Sequence, residues 1–313
     1  MLSRLADNLF WMARYCERAE NIARNLEINL RMTLWDRAGA DDPEWWEAAV
    51  RVSGDPEEFK ARHGAAGQKT VVEHLILDRD NPSSIWCCFE RARDNARATR
   101  GKITVETWEA VNAIWLEIQD LTAAKLQRQG AREFCDWVKA RCHGLRGVTD
   151  GTMLRDDAYR FSRLGLFLER ADNTARLLDV RYHMLLPEGA ALRESGAVDY
   201  YHWGAILRAV SAFSAYRRIY RDQIVPLRVA ELLILRQDMP RSLHACMNEV
   251  TTVLGELGPG LECARLAGAL HAELHFTRIE DVFRDRLSSF LNRHLAQANA
   301  LGARIAKDFL MVA

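Results

Sequence analysis

Three copies of one pattern, Glu-Arg-Ala-x-Asn/Asp-x-Ala-Arg, hold the residues of this chain best suited to chemistry. They read Glu17-Arg18-Ala19-Glu20-Asn21-Ile22-Ala23-Arg24, Glu90-Arg91-Ala92-Arg93-Asp94-Asn95-Ala96-Arg97 and Glu169-Arg170-Ala171-Asp172-Asn173-Thr174-Ala175-Arg176. The carboxylates of Glu17, Glu90 and Glu169 are the candidate catalytic groups, able to serve acid/base or metal chemistry. Asn21, Asp94 and Asn173, with Arg24, Arg97 and Arg176, are the candidate ligand-binding groups, since guanidinium matches carboxylate and phosphate geometry. Arg14, Arg93 and Arg100 add further positive charge nearby.

On a helix turning about 100° per residue, the Glu, the Asn or Asp four residues on and the Arg seven on share one stripe. Phe10, Ile28 and Val180 project close to that stripe, while Leu9, Met12, Cys16, Ala19, Ala23, Leu26 and Leu30 occupy the opposite face. Helices apolar nearly all round are expected to be central and buried. A buried ion costs several kcal/mol without a partner, so the stripes are expected to satisfy one another. Glu17 is expected to face Arg176 and Glu169 to face Arg24, with Asn21 and Asn173 near a twofold axis. Such a network could fix helix register, or it could form a binding or catalytic site. A merely solvated stripe is the third possibility.

The elements that must position these residues are helices. Seven prolines and sustained 3.6-residue periodicity predict helices near 3–35, 44–62, 68–78, 83–100, 104–128, 131–142, 153–185, 198–222, 226–236, 240–256 and 262–311. The last should break near Phe276 or Ser288. No period-2 strand pattern is evident. The fold class read from this is all-α.

The chain also reads as internally duplicated. The first and third motifs lie 152 residues apart. Downstream, Trp46-Glu47-Ala48-Ala49-Val50-Arg51 aligns with Trp203-Gly204-Ala205-Ile206-Leu207-Arg208. The segment from Glu73 to Ser84 aligns likewise with that from Glu231 to Ser242. In each corner, a helix ends at Asp80 or Asp238 and Pro82 or Pro240 is expected to open the next. The expected architecture is a single domain, 1–313, formed as a pseudo-twofold bundle of halves 1–143 and 152–313. Gly144-Leu145-Arg146-Gly147-Val148-Thr149-Asp150-Gly151 is the expected connector.

Forty-three basic residues balance forty-three acidic ones, so no global field recruits nucleic acid or an anionic membrane. The 49% hydrophobic content suits a large core. Seven cysteines, including Cys87-Cys88, lack disulfide-framework spacing, which fits a reducing cytoplasm. The N-terminus lacks a signal-peptide pattern, and no apolar run of about 18 residues could span a membrane. Asp36 to Asp42 and Pro187 to Val198 read as connectors; nearby Trp45, Trp46, Tyr200, Tyr201 and Trp203 are expected to pack on the bundle.

Other candidate chemistry is weaker. His271-Ala272-Glu273-Leu274-His275 places two imidazoles one turn apart, a chelating spacing, but Glu273 is misplaced for the metalloprotease pattern. Cys135, Cys142 and His143 lack a fourth ligand, and buried free cysteine is the simpler reading. Gly255 to Gly260 reads as a helix end without phosphate-loop features. No serine nucleophile elbow or assignable triad exists. No metal site or cofactor follows from these patterns.

The opening from Met1 to Arg24, the Asn81-Pro82-Ser83-Ser84 corner and the Glu169-to-Arg176 copy resemble the bacterial alpha-E family over essentially the whole chain. One departure is Asn248-Glu249, where the second corner lacks another Glu-Arg-Ala. The resemblance implies an all-helical protein associated with circularly permuted ATP-grasp proteins and often with a transglutaminase-like protein. It thereby implies a role in amide or peptide-bond formation, or in peptide modification. The leading expectation is a non-catalytic helical component that positions an ATP-grasp ligase or its peptide product. The alternatives are an enzyme with a carboxylate/arginine pocket acting on a peptide or amino acid, and a structural homo-oligomer.

Overall fold

In the computed structural model, residues 3–32, 43–185 and 197–310 are described. The expected connector at 36–42 and most of that at 187–198 lie outside them. Among the described residues there are sixteen α-helices, a closing π-turn at Ala306–Leu310 and no strand. The fold is all-α. The helices fall into two compact units, residues 1–169 with 306–313, and residues 170–305. The division lies inside a helix, at the third motif.

The first unit is organised on α1 (Ser3–Met32), which packs against α5 (Ile85–Ala98) and α8 (Ala131–Thr152). Around them lie α2 (Pro43–Ser53), α3 (Pro56–His63), α4 (Gln68–Ile76), α6 (Val105–Ile118) and α7 (Ala123–Gln129). As expected for a helix apolar nearly all round, α1 is central: Leu9, Ala19, Ala23 and Leu26 are fully buried. Its polar residues Glu17, Glu20, Asn21, Arg24, Asn25, Glu27 and Asn29 are buried as well. Trp46 is also completely enclosed.

The helix ends follow local chemistry more than periodicity. The predicted helix 44–62 breaks at Gly54-Asp55-Pro56, where Asp55 caps α3 by accepting from the Glu57 amide at 2.9 Å. The predicted 104–128 divides because Thr122 opens α7 as an N-cap. Residues 144–151 are a larger correction, since they continue α8 as helix. Three helical glycines cost roughly 1 kcal/mol each relative to alanine. Tertiary anchoring, with Leu145 buried and Arg146 in ion pairs, overrides that propensity.

The second unit contains the remainder of α9 (Asp157–Leu185), then α10 (Ala197–Ala209), α11 (Phe213–Tyr220), α12 (Pro226–Ile234), α13 (Leu243–Leu257), α14 (Glu262–Phe276), α15 (Ile279–Arg284) and α16 (Leu287–Ile305). The predicted 198–222 breaks at Ser211, whose φ is 57°. The predicted 262–311 breaks after Phe276 and again at Arg286, where φ is 66°. Trp203, Tyr216 and Leu233 are fully buried.

Neither corner proline opens a helix. Pro82 and Pro240 sit in the turns, and Ser84 and Ser242 supply the N-caps, accepting from Cys87 N at 3.2 Å and Ala245 N at 2.9 Å. Both serines are fully buried. Ser84→Ala and Ser242→Ala are each expected to lose about 1 kcal/mol of stability, measurable by urea denaturation. Losses below a few tenths would mean that water replaces the cap.

Candidate functional site

Third-copy Glu169 and the first-copy helix meet in a buried ion cluster of the first unit. Arg14 donates through Nε to Glu169 Oε2 at 2.8 Å, and Arg18 donates through Nε to Oε1 at 2.6 Å and through Nη2 to Oε2 at 3.0 Å. The carboxylate side chain is 6% exposed. Burial pushes its pKa up, but the Arg18 and Arg14 guanidiniums prevail and hold it below the ordinary carboxylate value. The partner expected from the stripe was Arg24. Arg18, the residue directly after Glu17, takes that place together with Arg14.

Glu17 is held by Arg146 of α8, with Nη1 at 3.0 Å from Oε2. The same Arg146 nitrogen bonds Glu20 Oε2. Arg24 turns back along its own helix and donates through Nε to Glu20 Oε1 at 2.7 Å. His143 Nε2 lies 3.1 Å from Arg24 Nη2 and 3.5 Å from Glu20 Oε1. Further along α1, Glu27 bonds Arg31 and Lys139. Burial raises the Glu27 pKa, but these two cations turn the net shift downward. Buried carboxylates are thus met by cations across helix contacts, the requirement for keeping ions in a low-dielectric core.

Asn21 is buried beside these ions. A cavity of about 50 Å³ borders Glu17 and Arg146, with Cys16, Cys142, Asp150 and Arg163 on its walls. That volume holds a few waters, well short of the roughly 300 Å³ at which small-molecule sites begin. The thiols around it are inert: burial pushes Cys16 up to about 12 and Cys142 well above its ordinary value.

The second-copy residues are not gathered into this cluster. Glu90 is half-buried on α5, while Asp94 and Arg97 are exposed. In the second unit, Asn173 is half-buried and Arg176 bonds Asp172 at 2.7 Å. Arg176–Asp172 repeats the Arg24–Glu20 contact at the same motif positions. The acidic residue that makes it possible stands at the variable position, where the second copy has Arg93. Arg18 and Arg146 are therefore site residues that the stripe did not single out. A signal for Glu20 was available in its i,i+4 spacing to Arg24.

Outside the motif, α14 brings His271 and His275 to His244, with ring centroids 5.0 and 5.5 Å from the His244 ring. Gln237 Nε2 lies 3.3 Å from His275 Nδ1. Burial and the two neighbouring histidines push the His271 pKa down. Among the described residues, however, ligand atoms converge to within 4.8 Å at another group, His63, His74 and Asp78 in the first unit. His74 and Asp78 are spaced i,i+4, but no pattern links His63 to them: His63 ends α3, His74 lies in α4, and Asp78 follows it.

Comparison with known proteins agrees with this architecture without naming a reaction. Uncharacterized proteins of Mycobacterium bovis and Mycobacterium tuberculosis are 24% identical over 324 aligned residues, covering 95% of this chain and 35% of theirs. The chain thus spans about a third of the length of these relatives. No solved structure matches it. Among the described residues, no helix is long and apolar enough to cross a membrane. The family described as "a predicted alpha-helical domain with a conserved ER motif" matches residues 1–310, and the Arg18–Glu169 contact joins two such Glu-Arg pairs. The chain belongs to the Alpha-E family.

Proposed function

We propose that this protein is a helical binding component of an ATP-dependent system that forms amide or peptide bonds or modifies a peptide. In it, the chain positions an ATP-grasp-type ligase or that ligase's peptide product. The observation that carries the non-catalytic reading is the engagement of the motif charges: Glu169 is clamped by Arg14 and Arg18, and Glu17 by Arg146. Carboxylates held in this way brace helices and leave recognition to the surface. Support for a multi-component setting comes from the longer relatives, in which the matching region is about a third of the chain, and from the family association that the sequence resemblance implies. A transglutaminase-like protein is a further candidate partner, and self-association is compatible with the same role. Seven free thiols, all buried, suit a reducing compartment, and we place the protein in the cytoplasm.

Co-purification of the tagged chain from its native host tests the assignment. A stable complex with an ATP-grasp ligase is the expected result; turnover of amide substrates by the isolated chain would overturn it. Glu17→Gln separates the enzymatic alternative. The variant should melt earlier, because Arg146 loses a charged partner in a buried setting, and should still bind the ligase below its melting temperature. An unchanged melt with activity abolished in a complementation assay would instead assign Glu17 to catalysis.

A further inference from the structure

We propose that His63, His74 and Asp78 form a binding site for a divalent transition-metal cation of the zinc class, independent of the ligase-binding role. Asp78 Oδ2 lies 2.9 Å from His74 Nδ1 and 3.6 Å from His63 Nε2. A tetrahedral ion with bonds of about 2.0–2.2 Å separates its donor atoms by roughly 3.3–3.5 Å, so small shifts admit it. The two imidazole centroids are 5.0 Å apart, close to the roughly 5 Å that such an ion imposes. Two imidazoles and one carboxylate suit zinc and its first-row neighbours, whereas magnesium and calcium favour oxygen donors.

Surrounding groups prepare the site. The Asp80 amide donates to Asp78 Oδ1 at 2.9 Å and leaves Oδ2 facing the histidines. His74 must change tautomer. Asn81 Nδ2 is 3.2 Å from His74 Nε2 and donates to the His74 carbonyl at 3.1 Å, while Asn81 Oδ1 accepts from Ser83 N. This orientation makes Nε2 an acceptor and places the proton on Nδ1. When the cation takes Nδ1, that proton moves to Nε2, and the Asn81 Nδ2 contact to Nε2 is given up.

The group opens on a cleft of about 330 Å³ lined also by Thr70, Glu73 and Thr122. Three protein ligands leave coordination open there to water or to another oxygen donor, the arrangement of catalytic rather than closed structural zinc sites.

Calorimetric titration of metal-stripped full-length chain with Zn²⁺ at pH 7.5 tests the site, with Co²⁺ absorption reporting geometry. One saturable site is expected, with tetrahedral Co²⁺ bands. His63→Ala and Asp78→Asn should each weaken binding at least tenfold. The exposed position of His63 makes its variant the safer one for folding, to be verified by circular dichroism. Absence of saturable binding would overturn the proposal. So would binding retained in folded His63→Ala but lost in His271→Ala, which would place the cation on the His244, His271 and His275 group.

Discussion

Glu169→Gln is expected to destabilise the protein by about 3 kcal/mol, the low end of the 3–5 kcal/mol for breaking a buried ion pair. Two guanidiniums lose the charged carboxylate that both of them bond. The low end applies because Arg14 and Arg18 retain 20% and 24% side-chain exposure and recover some hydration. A neutral amide also offers one acceptor oxygen in place of the two now bonded. Equilibrium denaturation in urea measures the loss. A change below 1 kcal/mol would reduce the contact to the value of an ordinary surface pair.

The same residue gives a signed pH dependence. The Glu169 pKa is lower in the folded protein than its ordinary value of 4.5. Its stabilising contribution is therefore complete above that unfolded value and disappears as pH falls through the lower folded one. Wild type should lose this contribution on acidification below about pH 4.5, whereas Glu169→Gln has none to lose. The stability difference between the two should narrow over that acidic range. A constant difference down to pH 2 would show that the carboxylate's charge was not the source.

Gly165→Ala is expected to cost about 2 kcal/mol, although helix propensity alone favours alanine by roughly 1 kcal/mol. The sign is set by packing. A Cβ at 165 would overlap the Phe10 carbonyl oxygen, lie 3.0 Å from its carbon and press within 3.2 Å of Arg14 Cγ. Backbone cannot rotate away as a side chain can, so the overpacking cost reaches the upper part of the usual range, about 3 kcal/mol. Gly144→Ala is the control, because no atom lies within 4 Å of the new Cβ. It should stabilise by up to about 1 kcal/mol. Thermal melts of both variants should move in opposite directions; a stabilising Gly165→Ala would mean that α1 and α9 have room between them.

These two predictions share one physical contact. Gly165 and Glu169 are one turn apart on α9, as Phe10 and Arg14 are on α1. The missing Cβ permits close backbone approach, and that approach brings Arg14 within bonding distance of the carboxylate. The pair and the glycine are consequently expected to be non-additive in a double-mutant cycle.

Much of the helical framework was readable from local pattern. The apolar surround of the first motif placed α1 in a core, and the Gly-Asp-Pro and Thr signals account for breaks that periodicity passed over. Arg146 was harder to read because Gly144, Gly147 and Gly151 resemble a connector, and their cost is offset only once the buried carboxylates of α1 recruit that arginine. The His63 group was hidden for a related reason. A turn after His63 brings two short helices together, and no single periodicity links its ligand to those of His74 and Asp78.

By itself, the sequence determined an all-helical protein of the Alpha-E family and a charged stripe on a central helix. It also determined neighbours along one helix, because a turn of about 3.6 residues places Glu20 beside Arg24 and Asp172 beside Arg176. Tertiary structure alone decided which cations answer Glu17 and Glu169. Pairing between helices depends on their register and separation, and these are set by packing such as Gly165 against Phe10. Helical periodicity carries no information about either.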